Sequence, residues 1–373
     1  MRNADKEKYM EEALALAGKA EGRTYPNPMV GAVMIRRGRI IGKGYHKRFG
    51  GAHAETAAIK NAGGACGGAT LFVTLEPCDH HGKTPPCTEA IIKSGIKKVY
   101  VAMKDPNPIN RGRGIRRLRK SGIEVFVGTK RTAACELNRK YIKYIKHRMP
   151  YVTLKLAQTL DGRIAAPDGS SKWISGGSSR RLVKKMRASF DGIMVGSNTV
   201  RADDPLLLSS RDPSRGPARI IVDSALKISP RSRLIRTSAI APVFIGTTEK
   251  ASSRKIDKLG KIPGVHITVM KSRGGRVPLN SFLRSLSERG MMNILLEGGG
   301  ELAGSLLDEG LIDEAVFFIA PKLLGGGVSS LKGKTARSIK DMRGFRTVEV
   351  SMSGKDVMIT GVLSGRRNKC SPA

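Results

Sequence analysis

A chain of 373 residues with 40% hydrophobic content is long enough for two domains with a core each and is unlike a disordered protein. It has no run of about 18 apolar residues, and residues 1–19 carry charges of both signs, so we expect neither a membrane span nor a signal peptide. The net charge of +36 is divided evenly between residues 1–150 and 151–373, whereas nucleic-acid-binding proteins gather basic residues on one face or tail. This favours a solvated basic surface and no specific nucleic-acid partner, although charge alone decides little.

Apolar periodicity predicts alternating helices and strands in both halves of the chain. In the first half we expect helices at 7–19, 53–60, 85–93, 115–120 and 131–146, a hairpin at 29–35 and 40–45, and strands at 70–75, 99–102 and 124–127. In the second half we expect strands at 152–158, 191–197, 218–223, 242–246, 266–270, 293–297 and 314–319, helices at 178–189, 278–288 and 301–308, and a closing hairpin at 347–352 and 356–363. Such alternation is typical of α/β layers. Met149-Pro150 is the expected boundary between domains at 1–149 and 150–368.

The first half carries the residues of a zinc site. One imidazole, His53, and two thiols, Cys78 and Cys87, are three protein ligands, which leaves the fourth tetrahedral position for water. Glu55 is expected to move protons between that water and a departing amine. These residues follow the H-x-E…P-C-x-x-C pattern of zinc nucleobase deaminases, except that the second cysteine comes nine positions after the first.

An ordinary histidine, two buried cysteines and a surface glutamate are the alternative interpretation of these residues. The order of the four residues, the proline before each cysteine and the flanking elements favour the zinc site. Because residues two apart point to different sides of a helix, His53 and Glu55 must converge at the start of the helix at 53–60.

The remaining cysteines and two further histidines receive no ligand role. Cys66, Cys135 and Cys370 have no partner at ligand spacing, and we expect structural roles for them. His80 and His81 are expected to be loop or substrate-facing residues. Five cysteines form no disulfide framework in a chain of this length, which is consistent with the reducing cytoplasm.

Longer motifs occur in both halves of the chain. In the first half they are PNPMVGAV at 26–33, HAE at 53–55, PCDHHGKTPPC at 77–87 and DPNP at 105–108. In the second half they are KLAQTLDGRI at 155–164, SKWI at 171–174, ADDP at 202–205, EGG at 297–299 and APK at 320–322. These motifs resemble the bifunctional deaminase–reductase family of riboflavin biosynthesis. The chain departs from that family at Asn110-Arg111, where small or apolar residues are usual.

The resemblance implies an α/β protein with an N-terminal cytidine-deaminase-like three-layer α/β/α domain followed by a dihydrofolate-reductase-like α/β domain. It implies zinc-dependent hydrolytic deamination of 2,5-diamino-6-ribosylamino-4(3H)-pyrimidinone 5′-phosphate. NADPH-dependent reduction of the ribosyl group to ribityl would follow. The partner would thus be a phosphorylated pyrimidine, and we also expect a homo-oligomer in the cytoplasm.

The resemblance also implies roles for individual residues. The zinc ligands would be His53, Cys78 and Cys87, with Glu55 as the proton shuttle. The deaminase substrate would meet Asn27, His46, Lys83 and Thr84. The reductase substrate would meet Lys155, Ser171, Arg187, Leu207, Arg211 and Glu297. The cofactor would meet Ala157, Trp173, Thr199, Asp203, Ser224, Gly299 and Gly300.

The residues alone support the reductase site less strongly than the zinc site. The glycine-rich turn from Glu297 to Glu301 follows an apolar strand and precedes a helix, which suits a phosphate at the helix N-terminus, but such a turn is often only a connector. Two other functions therefore remain as alternatives: a nucleic-acid deaminase, and a deaminase with an inert reductase-like domain.

Overall fold

The computed structural model describes residues 2–82, 84–209, 216–333, 336 and 338–364. It separates into two compact units, Met1–Met149 and Pro150–Ala373, and each contains its own sheet. Lys83 and Arg211, which we predicted to bind substrate, and Cys370 lie outside the described residues. Among the described residues, no helix combines the length and the apolar character that crossing a bilayer requires.

The first unit is a mixed α/β structure in which helices pack on both faces of one sheet. Its helices are α1 (Asn3–Gly18), α2 (Ala54–Asn61), α3 (Cys87–Lys93), α4 (Arg113–Lys120), α5 (Arg131–Leu137) and α6 (Arg139–His147). Its strands are β1 (Gly31–Arg36), β2 (Arg39–Tyr45), β3 (Thr70–Leu75), β4 (Lys98–Met103) and β5 (Glu124–Val127). The sheet order is β2-β1-β3-β4-β5; β1 is antiparallel to both neighbours, and β3, β4 and β5 are parallel.

Alternation along the strands produces the expected three layers. Ala32 and Met34 of β1 belong to the core beneath α2, α3 and α4, whereas Val33 and Ile35 belong to the core beneath α1 and α5. Successive side chains of a strand point to opposite faces, so a strand buried on both faces needs an unbroken apolar run. The sequence of β1, GAVMIR, meets that need.

Two glycines allow α2 to lie directly against β2. A Cβ at Gly44 would stand 2.3 Å from Ala54 O, and a Cβ at Gly42 would stand 2.3 Å from Ala58 O. Any side chain at either position would therefore push the helix away from the sheet. This close packing fixes the start of α2, where His53 directly precedes the helix and Glu55 lies in its first turn.

The prediction of one continuous helix over 131–146 was wrong. The chain leaves helical geometry at Asn138 (φ −102°, ψ 19°), which separates α5 from α6. The Asn138 side chain accepts a hydrogen bond from Met29 N over 2.8 Å and donates one to Met29 O over 3.0 Å. An asparagine side chain that bonds to backbone competes with the helix, and this buried contact explains the break.

The second unit is built on a larger sheet. Its helices are α7 (Gly177–Met186), α8 (Ser197–Asp203), α9 (Arg233–Arg236), α10 (Ser253–Gly260), α11 (Leu279–Glu288) and α12 (Gly300–Asp308). Its strands are β6 (Tyr151–Thr159), β7 (Arg163–Ala165), β8 (Gly192–Gly196), β9 (Ala218–Val222), β10 (Val243–Thr248), β11 (Val265–Met270), β12 (Asn293–Leu296), β13 (Glu314–Ala320), β14 (Val328–Ser329), β15 (Phe345–Ser353) and β16 (Asp356–Leu363).

The strands of the second unit follow the order β11-β10-β9-β8-β12-β6-β13-β16-β15, and a small separate pair joins β7 to β14. Neighbours from β11 to β13 are parallel, and β16 and β15 are added antiparallel at the other edge. The carboxyl ends of the parallel strands therefore share one edge, where α/β proteins place their ligands. Helix α8 was not predicted because its sequence, SNTVRAD, has no apolar stripe.

Candidate active sites

The predicted zinc ligands converge in the first unit. His53 is the residue before α2, Cys78 follows β3, and Cys87 opens α3. His53 Nδ1 lies 3.1 Å from Cys87 Sγ and 3.5 Å from Cys78 Sγ, and the three ligand atoms lie within 4.8 Å of one another. One nitrogen and two sulfur donors at this spacing fit a tetrahedral zinc ion.

The backbone of His53 explains how its ring and Glu55 reach the same place. His53 is extended (φ −72°, ψ 160°) and precedes the first helical residue, so the helical angle between residues two apart does not apply to this pair. Glu55 is only 3% exposed. Burial raises the pKa of Glu55 to about 7, which suits a group that must both take and give a proton near neutral pH.

The pKa values of the two cysteines shift in opposite directions. The Cys87 thiol donates a hydrogen bond to Cys78, which is the main reason that the pKa of Cys78 falls to about 4. The same hydrogen bond, together with burial, raises the pKa of Cys87 well above its ordinary value. The hydrogen bond to Cys78 also raises the pKa of His53. The lowered pKa of Cys78 favours its thiolate, which is the form that ligates a metal.

A cavity of about 390 Å³ adjoins this cluster and brings together the described substrate residues that we predicted for the deaminase. Asn27, His46 and Thr84 all line it. His46 Nδ1 lies 3.1 Å from Ala52 O, and because a carbonyl only accepts, Nδ1 carries the proton. His46 Nε2 is then the acceptor for the Asn27 side-chain amide at 3.2 Å. Burial lowers the pKa of His46, which keeps this ring neutral.

Sequence reasoning missed Asp105, which lines the same cavity. Its carboxylate accepts hydrogen bonds from Tyr141 Oη at 3.0 Å, Asn107 N at 2.9 Å and Asn110 Nδ2 at 3.3 Å. Burial raises the pKa of Asp105, and these three donors oppose the rise. A signal was present, because Asp105 follows the apolar strand β4 as Cys78 follows the neighbouring β3, and parallel neighbours end at one edge.

The second unit contains a partly buried ion pair at the positions predicted for the reductase substrate. Arg187 Nε and Nη2 donate to the two carboxylate oxygens of Glu297 over 2.6 and 2.9 Å. Glu297 follows β12, and Lys155 lies on the adjacent strand β6. Burial alone would raise the pKa of Glu297, but the Arg187 hydrogen bonds and charge bring it below its ordinary value. Burial lowers the pKa of Lys155.

The segment after α8 is held beside this pair. Leu207 is buried with a left-handed backbone (φ 55°), and Arg187 Nη1 donates to the next carbonyl, Leu208 O, over 3.4 Å. Arg219, on β9, is 0% exposed and was missed by sequence reasoning. Its guanidinium donates to Leu206 O over 3.3 Å and to backbone carbonyls of Leu234, Thr237 and Ala241.

A second cavity, of about 640 Å³, brings together four of the residues predicted to bind cofactor, Thr199, Ser224, Gly299 and Gly300. Gly299 N donates to Thr199 Oγ1 over 3.2 Å at the N-terminus of α12. A Cβ at Gly300 would stand 2.5 Å from Ser329 O, so the backbone at Ser329 lies too close to Gly300 to leave room for a side chain at position 300. A helix N-terminus at a glycine-rich turn suits a phosphate group of a dinucleotide.

The other described residues that we predicted for the reductase do not line this cavity. Ser171 Oγ and Lys172 Nζ lie 3.5 and 3.6 Å from the Asp203 carboxylate. Trp173 is 64% exposed and lies under the Arg180 guanidinium, at 4.3 Å from the ring centroid. Ala157 lies on β6 and packs against the core beneath α7.

Two family profiles together match most of the chain. The profile described as "RibD C-terminal domain" matches residues 150–359, and that described as "Cytidine and deoxycytidylate deaminase zinc-binding region" matches residues 3–103. The Riboflavin biosynthesis protein RibD of Aquifex aeolicus is 44% identical over 360 residues, which cover 96% of this chain and 98% of that protein.

The chain belongs to the RibD family.

Solved structures of the RibD family have the same architecture. Acinetobacter baumannii RibD superposes with a TM-score of 0.85 at 33% identity and covers 97% of this chain and 100% of its own. A diaminohydroxyphosphoribosylaminopyrimidine deaminase/5-amino-6-(5-phosphoribosylamino)uracil reductase of Thermotoga maritima superposes with a TM-score of 0.84 at 37% identity and covers 97% of this chain and 99% of its own. The expected fold class is confirmed. The expectation of zinc and NADPH as cofactors is confirmed as well.

Proposed function

We propose that this chain catalyses two consecutive steps of riboflavin biosynthesis. The first removes ammonia hydrolytically from 2,5-diamino-6-ribosylamino-4(3H)-pyrimidinone 5′-phosphate, and the second reduces the ribosyl group to give 5-amino-6-(5-phospho-D-ribitylamino)uracil. The observation that carries the proposal is the convergence of His53, Cys78 and Cys87 beside the buried Glu55 at the wall of a cavity. We assign the steps to domains at 1–149 and 150–368.

In the first step, His53, Cys78 and Cys87 would hold a zinc ion, which would act as a Lewis acid toward water. Glu55 takes a proton from the water whose oxygen forms a bond to the ring carbon, and it gives a proton to the amine on that carbon, so that the C–N bond breaks and ammonia leaves. Thr84 Oγ1, at 3.4 Å from His53 Nε2, holds the orientation of the ligand ring.

The substrate is held by polar groups of the same cavity. We assign Asn27, His46 and Asp105 to the pyrimidine ring, because an amide, a neutral imidazole and a carboxylate provide both donors and acceptors. His80 also lines the cavity, and its Nδ1 is buried with no hydrogen-bond partner among the described residues. Lys83 and Thr84 complete the proposed set.

In the second step, bound NADPH would supply a hydride to C1′ of the ribosyl ring, and the C1′–O4′ bond would break. The O4′ atom then needs a proton, for which we propose Lys155 or Asp203. Burial lowers the pKa of Lys155, which makes its ammonium group a better proton donor. We assign the rest of the substrate contact to Ser171, Arg187, Leu207, Arg211 and Glu297, and the cofactor contact to Ala157, Trp173, Thr199, Asp203, Ser224, Gly299 and Gly300.

A nucleic-acid deaminase is less well supported, because it needs no second domain with a cavity of about 640 Å³. A deaminase with an inert reductase-like half is not favoured either. The bidentate Arg187–Glu297 pair and the close backbone approach at Gly300 are specific features that an inert scaffold does not require.

We also propose that the chain forms a homo-oligomer in the cytoplasm. Strand β15 is the last strand of its sheet, and Val348, Val350 and Met352, on one face of it, are 53%, 64% and 66% exposed. An exposed apolar strand at the edge of a sheet can pair with a strand of another chain, and the same strand of a second copy of this chain would cover it. If so, Val350→Lys should lower the mass measured by sedimentation, and Lys355→Gln, on the hairpin turn, should leave it unchanged.

The decisive experiment combines the purified protein, NADPH and the phosphorylated diaminopyrimidinone. We expect ammonia release without NADPH, and NADPH oxidation only after ammonia has been released. Ammonia release that is never followed by NADPH oxidation would support the inert-reductase alternative, and absence of both reactions would reject the proposed function.

A further inference from the structure

The large cavity of the second unit extends from the N-terminus of α12 to a turn that carries two arginines. Arg273 and Arg276 line the cavity together with Ser224, which was predicted to contact cofactor. Sequence reasoning assigned no role to either arginine. Both are exposed, so they can reach a ligand.

The turn has a fixed shape. Arg273 N donates to Arg276 O over 2.9 Å and Arg276 N donates to Arg273 O over 3.2 Å, which closes a two-residue turn. Its two central residues, Gly274 and Gly275, have φ values of 57° and 74°, which glycine adopts readily. Ser272 binds the Glu249 carboxylate through its N and Oγ atoms, over 2.7 and 2.5 Å, and so ties the turn to the end of β10.

The turn is also tied to the predicted cofactor residue. Val277 N, directly after the turn, donates to Ser224 Oγ over 3.2 Å. Ser224 in turn accepts a hydrogen bond at its carbonyl from Thr248 Oγ1 over 2.7 Å. The arginines are therefore placed by the same contacts that place Ser224.

Three cations gather at this end of the cavity. A Cβ at Gly275 would stand 2.8 Å from Lys250 Nζ, so that ammonium group packs against the turn. The charge of Arg273 acts on the Glu309 carboxyl, lowering a pKa that burial raises. Among the described residues Arg276 has no carboxylate partner. The charge of Lys250 acts on the neighbouring Glu249 carboxylate, which Ser272 also binds. Arg276 is thus the cation that remains for an added anion, and Lys250 adds positive charge beside it.

We propose that Arg276 and Lys250, beside Ser224, bind the phosphate on the adenosine ribose of NADPH and set a preference for NADPH over NADH. The inference rests on the proposed reductase function. It follows from the chemistry of the two dinucleotides, which differ only by this phosphate. A phosphate dianion is bound best by charge-assisted hydrogen bonds from arginine and lysine. The diphosphate, common to both dinucleotides, has its own site at the N-terminus of α12.

The test measures binding of NADPH and NADH to the full-length protein by calorimetry, without substrate. We expect Arg276→Gln to weaken NADPH binding about tenfold, and the double variant with Lys250→Gln more, while NADH binding stays constant. The matched control is Arg254→Gln, which removes the same charge from an exposed position on α10, away from the cavity lining. Competition by adenosine 2′,5′-bisphosphate should weaken in parallel with NADPH binding.

Each outcome separates this inference from the proposed function. A loss confined to NADPH and adenosine 2′,5′-bisphosphate, and absent from the Arg254→Gln control, supports the subsite. Three results would reject the subsite without affecting the proposed reductase function. They are unchanged selectivity in the double variant, an equal loss of NADPH and NADH binding in the variants, and equal binding of both dinucleotides by the wild-type protein. Failure of the wild-type protein to bind either dinucleotide rejects both.

Discussion

The Asn110 side-chain amide donates a hydrogen bond to the Asp105 carboxylate over 3.3 Å. The side-chain oxygen of Asn110 accepts a hydrogen bond over 2.9 Å from the backbone N–H of Asp79. Asp79 is the residue directly after the predicted zinc ligand Cys78. Asn110 is 0% exposed. A single buried side chain thus joins the segment carrying a predicted zinc ligand to the wall of the cavity.

Replacing Asn110 should therefore disturb the deaminase. In Asn110→Ala we expect the free energy of unfolding of the first domain to fall by about 1–3 kcal/mol, because Asp79 N–H and the Asp105 carboxylate lose buried partners. We expect kcat/KM for ammonia release to fall about tenfold with zinc retained. Urea unfolding, metal analysis and steady-state kinetics measure the three quantities. Ile109→Ala, at a neighbouring position that is 58% exposed, is the control and should behave as wild type.

Glu55→Gln should separate metal binding from proton transfer. The amide keeps the size of the side chain but cannot take a proton, so ammonia release should fall by a factor on the order of 100 or more. The zinc content should remain about one ion per chain. Loss of zinc from this variant would contradict the proton-shuttle role, and retained NADPH oxidation with the deaminated intermediate is the control.

Zinc removal should affect one step only. After treatment with a chelator we expect no ammonia release, because deamination needs the zinc ion. We expect no effect on the reduction, because the three predicted ligands lie in the first unit. Reduction of the already deaminated intermediate by NADPH should continue at its original rate. Added zinc should restore ammonia release, and parallel loss of both activities would show that the proposed division of the steps is incorrect.

Arg187→Lys should impair the reduction although the charge is kept. Lysine cannot form the two parallel hydrogen bonds that Arg187 makes to Glu297, at 2.6 and 2.9 Å, while also reaching Leu208 O. We expect kcat/KM for NADPH oxidation to fall about tenfold or more and ammonia release to be unchanged. Arg181→Lys, on an exposed face of α7, provides the comparison; a similar loss there would point to a general effect on the helix.

Arg219→Met should destabilise the second unit. The apolar side chain would leave the carbonyls of Leu206, Leu234, Thr237 and Ala241 without this donor in a fully buried place. We expect a loss of about 3 kcal/mol or more in the free energy of unfolding of this unit, measured by thermal or urea unfolding. Arg231→Met, at an exposed position nearby in the chain, should change stability little.

The sequence predicted most of the strands and the zinc cluster but not the contacts that hold them. Apolar runs such as TLFVTL at β3 were sufficient to predict strands, because a strand that is buried on both faces of a sheet is apolar along its whole length. Helix α8 and the break at Asn138 were missed, since a polar helix has no periodicity and the break depends on Met29, 109 positions away. Arg219 was missed because its carbonyl partners lie 13 to 22 positions away, and Asp105 was missed because its partner Tyr141 lies 36 positions away.

The Asn138 contact with Met29 also sets a lower limit on the length of an independent deaminase. Met29 follows Asn27 and Pro28, which line the cavity, and Tyr141, Tyr144 and Ile145 of α6 line it too. A fragment that ended before α6 would retain every predicted zinc ligand and still lack part of its substrate site. Gene fusions or splits that preserve deamination should therefore fall after residue 147, close to where the reductase begins.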